Sequence, residues 1–115
     1  METSLIEKEY KALQKMQTDY NTNVSTLTKL ESQHRENEMV LEELKLVSVT
    51  EKIYKQIGSI LFTQDKDEAV VNVKKRLEFI STDMKRVEKL LTDLKSKMES
   101  KRMELMALQQ SKQVQ

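Results

Sequence analysis

Helix-breaking residues are almost absent from this chain. Its 115 residues include no Pro and a single Gly, Gly58. Pro and Gly are the two residue types that interrupt helices most strongly. We therefore expect long helices on both sides of Gly58. Apolar residues make up 37% of the chain and charged residues 34%. This composition favours an extended helical interaction protein over a β-sandwich, a barrel enzyme or a doubly wound α/β domain.

The first apolar pattern runs from residue 6 to residue 44 with alternating spacings of three and four. Eight of its twelve positions are apolar, as expected for one helix of a coiled coil. Asn23, His34 and Asn37 interrupt the pattern, and we expect such polar residues to set the register. Ser4 followed by Glu7 predicts a capping box at the start of a helix over about 4–47. The positions are Ile6, Glu9, Leu13, Met16, Tyr20, Asn23, Leu27, Leu30, His34, Asn37, Leu41 and Leu44.

The second apolar pattern runs from residue 70 to residue 108 and is more regular. Eleven of its twelve positions are apolar, the exception being Lys101. Asp65 is the expected N-cap of a helix over about 65–109, with a frayed tail over 110–115. The patterns have equal length, so an antiparallel pairing that places Leu44 opposite Val70 is predicted. The positions are Val70, Val73, Leu77, Ile80, Met84, Val87, Leu91, Leu94, Met98, Lys101, Leu105 and Leu108.

The charge distribution supports pairing of the two helices within one chain. Residues 1–44 carry a net charge of −4, and residues 70–115 carry +5. Opposite charge on the two segments favours their association with each other over parallel pairing of two identical chains.

Two short β-prone runs flank the only Gly. They read Ile53-Tyr54-Lys55-Gln56-Ile57 and Ile60-Leu61-Phe62-Thr63. β-Branched and aromatic residues favour strands. Gly58-Ser59 between them suits a two-residue type II′ turn. The sequence predicts a single β-hairpin over about 52–63.

An isolated hairpin of this composition needs further partners. Two strands alone are marginally stable in water, and their open edges would carry exposed apolar side chains. We expect hairpins of other chains to complete the sheet; an irregular apolar loop folded onto the helices is the alternative. The candidate assembly residues are Ile53, Tyr54, Ile57, Gly58, Ile60, Leu61 and Phe62.

The remaining composition excludes several kinds of site. The chain has no Cys and one His, His34, so no thiolate or His-based metal site and no Cys nucleophile is expected. The carboxylates are scattered, and we predict no catalytic residue, no metal and no cofactor. No apolar run reaches 18 residues and no signal peptide is recognised. We expect a cytoplasmic protein, with a nuclear pool left open.

The residues from Tyr54 to Ile80 resemble the beta-type prefoldin subunits. Glu36-Asn37, Glu42-Glu43-Leu44 and Lys85-Arg86 fit the same family. Ser59 departs from it, since relatives often have Pro after the turn Gly. The matching features are Tyr54-Lys55, Ile57-Gly58, Leu61, Gln64-Asp65, Glu68-Ala69 and Lys75-Arg76-Leu77-Glu78-Phe79-Ile80.

The resemblance implies both a fold and a mechanism. The fold is mainly α: one domain over residues 1–115, in which a long antiparallel two-helix coiled coil is joined by a single β-hairpin. The implied partners are alpha-type and other beta-type subunits, in a hexamer of two alpha and four beta chains. Such a hexamer holds unfolded clients, such as actin and tubulin, at its coiled-coil tips. It delivers them to a group II chaperonin without ATP. No nucleic acid, membrane or cofactor is implied.

The client-binding tip is expected near residues 5–20 and 94–108. These segments carry apolar residues outside the pattern positions as well as on them. Met is flexible and suits promiscuous apolar contacts. Ordinary packing between the helices is the alternative for each of these residues. The candidates are Leu5, Ile6, Tyr10, Leu13, Met98, Met103, Leu105, Met106 and Leu108.

Two other function classes compete with a chaperone subunit. A structural coiled-coil tether or scaffold would explain the helices but not the central hairpin. A nucleic-acid-binding arm would use the basic run Lys74-Lys75-Arg76. That run is short and has few aromatic residues nearby that could stack on bases. A solvated helix face, or salt bridges to the acidic first helix, is therefore the favoured interpretation.

Overall fold

The chain forms two long helices joined by one β-hairpin. The computed structural model describes residues 2–48 and 51–114. Its elements are α1 (Glu2–Leu46), β1 (Ile53–Ile57), β2 (Ile60–Gln64) and α2 (Lys66–Val114). The predicted fold class is confirmed. Two compact units are present: residues 29–84, here called the hairpin unit, and residues 1–28 with 85–115, here called the terminal unit.

The outer ends of the helices differ from the sequence prediction. α1 begins at Glu2, so Ser4 lies inside the helix and the capping-box prediction is wrong. The spacing of Ser4 and Glu7 also occurs within a helix, so it does not by itself mark a helix start. α2 continues to Val114, beyond the expected end at 109, because residues 110–114 contain neither Gly nor Pro. Gln115, part of the predicted tail, lies outside the described residues.

The helix start after the hairpin follows the prediction. α2 begins at Lys66, directly after Asp65. The backbone N–H of Ala69 donates to the Asp65 carbonyl oxygen at 2.9 Å, which is the first bond of the helix. Asp65 therefore occupies the N-cap position, with Asp67 and Glu68 in the first turn, where negative charge is stabilising.

The two apolar patterns form the inner faces of the helices. All twenty-four positions named above are partly or fully buried. Of the seven buried apolar residues in the part of the chain that the structure describes, only Ala69 lies outside the patterns. Val87 alone among the described residues is completely buried. The seven are Leu44, Ala69, Val73, Ile80, Val87, Met98 and Leu105.

The core of the hairpin unit lies where the helices meet the hairpin. Leu44, Ala69 and Val73 form its buried centre. Leu44 and Val70, which were expected to face each other, both belong to this cluster. The partly buried side chains packed against it are Leu41, Ile53, Val70 and Leu77.

The side chain of Lys66 ties the end of α1 to the start of α2. Its ammonium Nζ donates to the carbonyl oxygen of Val47 at 2.7 Å and of Lys45 at 3.3 Å. The last carbonyls of a helix lack intrahelical partners, and a cation there also complements the helix dipole. Lys66 thereby fixes the base from which the hairpin extends. Val49 and Thr50, which precede β1 in the sequence, lie outside the described residues.

Two polar residues of the α1 pattern in the hairpin unit, His34 and Asn37, pair with side chains of α2. His34 Nε2 lies 3.2 Å from Ser81 Oγ. Arg76 donates to Asn37 Oδ1 at 3.3 Å. An apolar pattern repeats along a helix, whereas such polar pairs form at one alignment only. They therefore favour this register, as expected for polar residues at these positions.

Candidate interaction surfaces

The hairpin has a regular register and a tight turn. β1 and β2 are antiparallel, with Ile53 opposite Gln64 and Ile57 opposite Ile60. Gly58 and Ser59 form the two-residue loop. Gly58 has φ of 62°, and no other described residue has a positive φ. A positive φ at the first loop position alone fits the predicted type II′ turn.

Both faces of the hairpin carry exposed apolar side chains. Residues paired across an antiparallel ladder share a face. One face carries Ile57, Ile60 and Phe62, and the other carries Tyr54 and Leu61. These five side chains are between 48% and 63% exposed. The segment is thus an ordered hairpin rather than an irregular loop, and it presents an uncovered apolar surface within this chain.

Ile53 is the one candidate assembly residue that the helices of this chain cover. It is partly buried and packs against the cluster of Leu44, Ala69 and Val73. As the first residue of β1 it lies beside the helix ends, whereas the other apolar residues lie closer to the turn. Ile53 therefore anchors the hairpin to its base, and the exposed surface begins beyond it.

The candidate tip residues divide into two groups. Met98 and Leu105 are buried, and Ile6, Leu13 and Leu108 are partly buried, as their places in the apolar patterns require. The remaining four, which lie off the patterns, are between 46% and 71% exposed. They are Leu5, Tyr10, Met103 and Met106. The terminal unit thus carries an excess of apolar side chains that its own packing does not use.

An ion pair joins the helices beside these exposed side chains. Lys101 Nζ lies 2.5 Å from Glu9 Oε2 and 3.5 Å from Glu104 Oε2. Glu9 and Lys101 both occupy positions of the apolar patterns, and both side chains are about one fifth exposed. The hydrogen bond from Lys101 lowers the pKa of the Glu9 carboxyl below its ordinary value. The same bond raises the pKa of the Lys101 ammonium.

Replacement of Glu9 by Gln is expected to destabilise the chain at neutral pH. A carboxylate whose pKa is lowered in the folded state stabilises the protein above its ordinary pKa, which is about 4.3. That contribution disappears as the pH falls through the lowered pKa. The free energies of unfolding of the parent and of Glu9→Gln, measured by urea denaturation, should therefore differ at pH 7. The difference should begin to shrink at about pH 4 and vanish only below the lowered pKa of Glu9.

The matched control is Glu7→Gln, two residues earlier on the exposed side of α1. It removes the same charge without removing the bond to Lys101. A pH-independent difference for Glu9→Gln, or an equal effect of Glu7→Gln, would contradict a specific role of the ion pair.

The described residues contain neither a membrane-spanning helix nor a metal-binding cluster. No described helix is both long and apolar enough to cross a bilayer. Within residues 2–48 and 51–114, no three His, Asp or Glu side chains are grouped so that they could hold a metal ion.

Comparison with known proteins identifies the family. Residues 7–112 match the family model described as prefoldin subunit. This chain belongs to the prefoldin subunit family. Membership assigns it to a family of co-chaperone subunits. It also confirms the resemblance carried by the residues around the hairpin.

Curated prefoldin relatives match most of the chain. Prefoldin subunit 6 of Arabidopsis thaliana is 41% identical over 105 residues, which cover 91% of this chain and 81% of that protein. Prefoldin subunit 6 of Homo sapiens is 37% identical over the same coverage. Prefoldin subunit 6 of Saccharomyces cerevisiae is 37% identical over 95 residues, or 83% of each chain. The similarity to prefoldin subunit 6 therefore extends over most of the chain, beyond the residues from Tyr54 to Ile80.

A solved prefoldin structure has the same fold. The crystal structure of the prefoldin beta subunit from Thermococcus strain KS-1 matches with a TM-score of 0.82, covering 90% of both chains at 18% identity. The single hairpin between two long helices is therefore the beta-type arrangement.

Proposed function

We propose that this chain is a beta-type subunit of the hetero-hexameric co-chaperone prefoldin. Its hairpin joins alpha-type and other beta-type subunits, in a complex of two alpha and four beta chains. The ends of its helices hold unfolded clients, such as actin and tubulin. The complex delivers them to a group II chaperonin in the cytoplasm, without ATP. Family membership and the two uncovered apolar surfaces support this proposal.

The observation that carries the client-binding part is the exposure of Leu5, Tyr10, Met103 and Met106. Each gains stabilisation when an apolar chain covers it, at about 25 cal/mol per Å². Non-native proteins expose apolar segments of many shapes, and the two flexible Met side chains can adapt to them. Contacts of this kind are weak singly and therefore reversible, as holding and release require.

The hairpin supports the assembly part of the proposal. Five of its apolar side chains are exposed on two faces, and its outer strand edges have no partner strand among the described residues. Strands contributed by neighbouring subunits would pair with these edges and cover both faces. This use of the hairpin leaves the helix ends available for clients.

A polar variant of the terminal surface tests client binding. In Leu5→Ser/Tyr10→Ser/Met103→Gln/Met106→Gln, exposed apolar groups become polar and the buried positions remain unchanged. The variant is assembled with its partner subunits and added to chemically unfolded actin diluted into buffer. We expect at least about tenfold weaker suppression of aggregation than with the parent, since the loss of several contacts of about 1 kcal/mol each exceeds the roughly 1.4 kcal/mol that corresponds to tenfold.

The matched control is Val24→Ser/Leu90→Gln, which removes exposed apolar groups of the terminal unit away from the helix ends. It should suppress aggregation as the parent does. Full activity of the fourfold variant, in a complex of unchanged mass, would overturn the proposed client site.

A further inference from the structure

A groove runs along the outer edge of β1, where the hairpin meets the helices. Its wall on the hairpin side is formed by the four consecutive β1 residues 53–56, whereas β2 contributes Gln64. Successive residues of a strand point to opposite faces, so a groove beneath one face would meet alternate residues of both strands. Contact with four consecutive residues therefore places the groove along the β1 edge.

This edge and its surroundings are suited to binding another strand. Alternate residues of β1 direct their N–H and C=O groups away from β2, and no further strand pairs with them in the part of the chain that the structure describes. Leu44, Ala69 and Val73 form a buried apolar floor. Val40 and Tyr54 also line the groove and are 42% and 54% exposed. An added strand would gain backbone hydrogen bonds from the edge and pack an apolar side chain on these two residues.

The helix side of the groove carries the exposed guanidinium of Arg76. It donates to Asn37 Oδ1 at 3.3 Å and has no other partner within residues 2–48 and 51–114. A guanidinium has five N–H donors and matches the geometry of a carboxylate. No Asp or Glu lines the groove. On the flanking helix turns, Glu36, Glu43 and Glu68 are exposed and form no ion pair with Arg76.

We infer that this groove receives an edge strand of a neighbouring subunit that carries an Asp or Glu for Arg76. The strand pairs with β1, and its carboxylate accepts hydrogen bonds from the guanidinium. An apolar residue two positions from the carboxylate lies on the same side of that strand and packs on Val40 and Tyr54. This inference rests on the proposed function and deepens it, because it names the receiving edge and the chemistry of the neighbour.

The neighbour differs in sequence from this chain. β1 and β2 contain no Asp or Glu, and their one charged residue is Lys55. The strands of a second copy could therefore offer Arg76 only a like charge, which is unfavourable. Asp65 directly follows β2 but occupies the N-cap position of α2. A strand from another subunit fits the groove better, as a hetero-oligomer requires.

Photo-crosslinking identifies the strand in the groove. p-Benzoylphenylalanine replaces Val40, and the full-length chain is assembled with alpha-type and other beta-type subunits before irradiation and mass spectrometry. We expect a crosslink to a strand of another subunit in which an Asp or Glu lies two residues from an apolar residue. The same probe at Val24, which is 40% exposed on α1 in the terminal unit, should not give this product. A crosslink to a second copy of this chain, or to a segment without a carboxylate, would overturn the inference.

Charge reversal at Arg76 measures the strength of the contact. Arg76→Glu competes with a tagged parent chain for a limiting amount of the other subunits. In roughly 50 mM salt we expect about tenfold less incorporation of the variant. The deficit should shrink in roughly 500 mM salt, which screens exposed charges.

Two controls separate this contact from the other effects of Arg76. Lys74→Glu makes the same change of charge at an exposed position of α2 outside the groove, and it should be incorporated as the parent is. Asn37→Ala removes the hydrogen bond of Arg76 within the chain but keeps the positive charge. It should also be incorporated as the parent is.

A compensating substitution completes the test. Replacement of the crosslinked carboxylate of the neighbour by Lys should restore incorporation of Arg76→Glu, which it could not do for a chain that had merely unfolded. Parental incorporation of Arg76→Glu, or no restoration, would contradict the inference. If Arg76→Glu is incorporated normally and Ile57→Asp/Leu61→Asp is not, the groove contact is removed and assembly through the hairpin stands. Normal incorporation of both variants would remove the proposed assembly as well.

Discussion

Substitution of Ile57 and Leu61 by Asp is expected to convert the associated protein into a monomer. Ile57 and Leu61 lie on opposite faces of the hairpin, so the double variant places a carboxylate on each face. A carboxylate without a partner in a shared sheet costs several kcal/mol. Both side chains are more than half exposed in this chain, so the helices should remain folded. Sedimentation equilibrium would report the loss of association, and far-UV circular dichroism would report unchanged helix content.

The control Lys55→Asp/Thr63→Asp places one carboxylate on each face at positions that are already polar and exposed. It should retain much more of the parental association. Unchanged association of Ile57→Asp/Leu61→Asp would mean that the helices assemble the protein. A structural tether would then be the better description of its function.

Substitution of Val87 by Asp is expected to destabilise the chain by about 4 kcal/mol. Val87 is completely buried between the helices. The change removes a buried apolar side chain and leaves a carboxylate without water or a partner. Most domains are stable by only about 5–15 kcal/mol, so much of the helix content should be lost at low urea concentration. Val87→Ala, which leaves only a cavity, should cost roughly 2 kcal/mol.

Val24→Asp is the matched control because it replaces the same residue type at a site that is 40% exposed on α1. Its free energy of unfolding should stay within about 0.5 kcal/mol of the parent. Equal destabilisation at the two sites would contradict the assignment of Val87 to the core.

The helical part of the fold follows closely from residue spacing. Apolar residues spaced by three or four positions lie on one face of a helix, and that face becomes buried against another helix. All twenty-four positions identified from that spacing are at least partly buried. The turn follows for a similar reason, because Gly58 adopts its positive φ without the strain that other residues incur.

Features that depend on long side chains or on weak helix-end signals were not predicted. Lys66 binds two carbonyl oxygens at the end of α1, but one Lys after an N-cap gives no pattern that would indicate this. The spacing of Ser4 and Glu7 does not identify a cap, because the same spacing also occurs within helices. Only the position of the true helix end distinguishes the two cases.

The sequence predicts which apolar residues belong to the candidate surfaces, but it does not predict which of them the helices cover. Alternation along a strand gives two faces but does not tell which residue meets the helices. The covered position of Ile53 therefore required the structure. The link between Glu9 and Lys101 was also missed. Glu9 interrupts the apolar pattern of α1, and Lys101 interrupts that of α2. Two interruptions of opposite charge are the sequence feature that could have predicted an ion pair between the helices.

The small number of buried apolar residues has a thermodynamic consequence. Seven apolar residues are buried among the described residues, which is a small number for a chain of 115 residues. The heat-capacity change on unfolding scales with the apolar area that becomes hydrated. For this chain it should be small per residue, which flattens the dependence of stability on temperature. Calorimetry of the unassembled chain should accordingly give a broad, shallow transition, and a larger heat-capacity change should appear only when other subunits cover the hairpin.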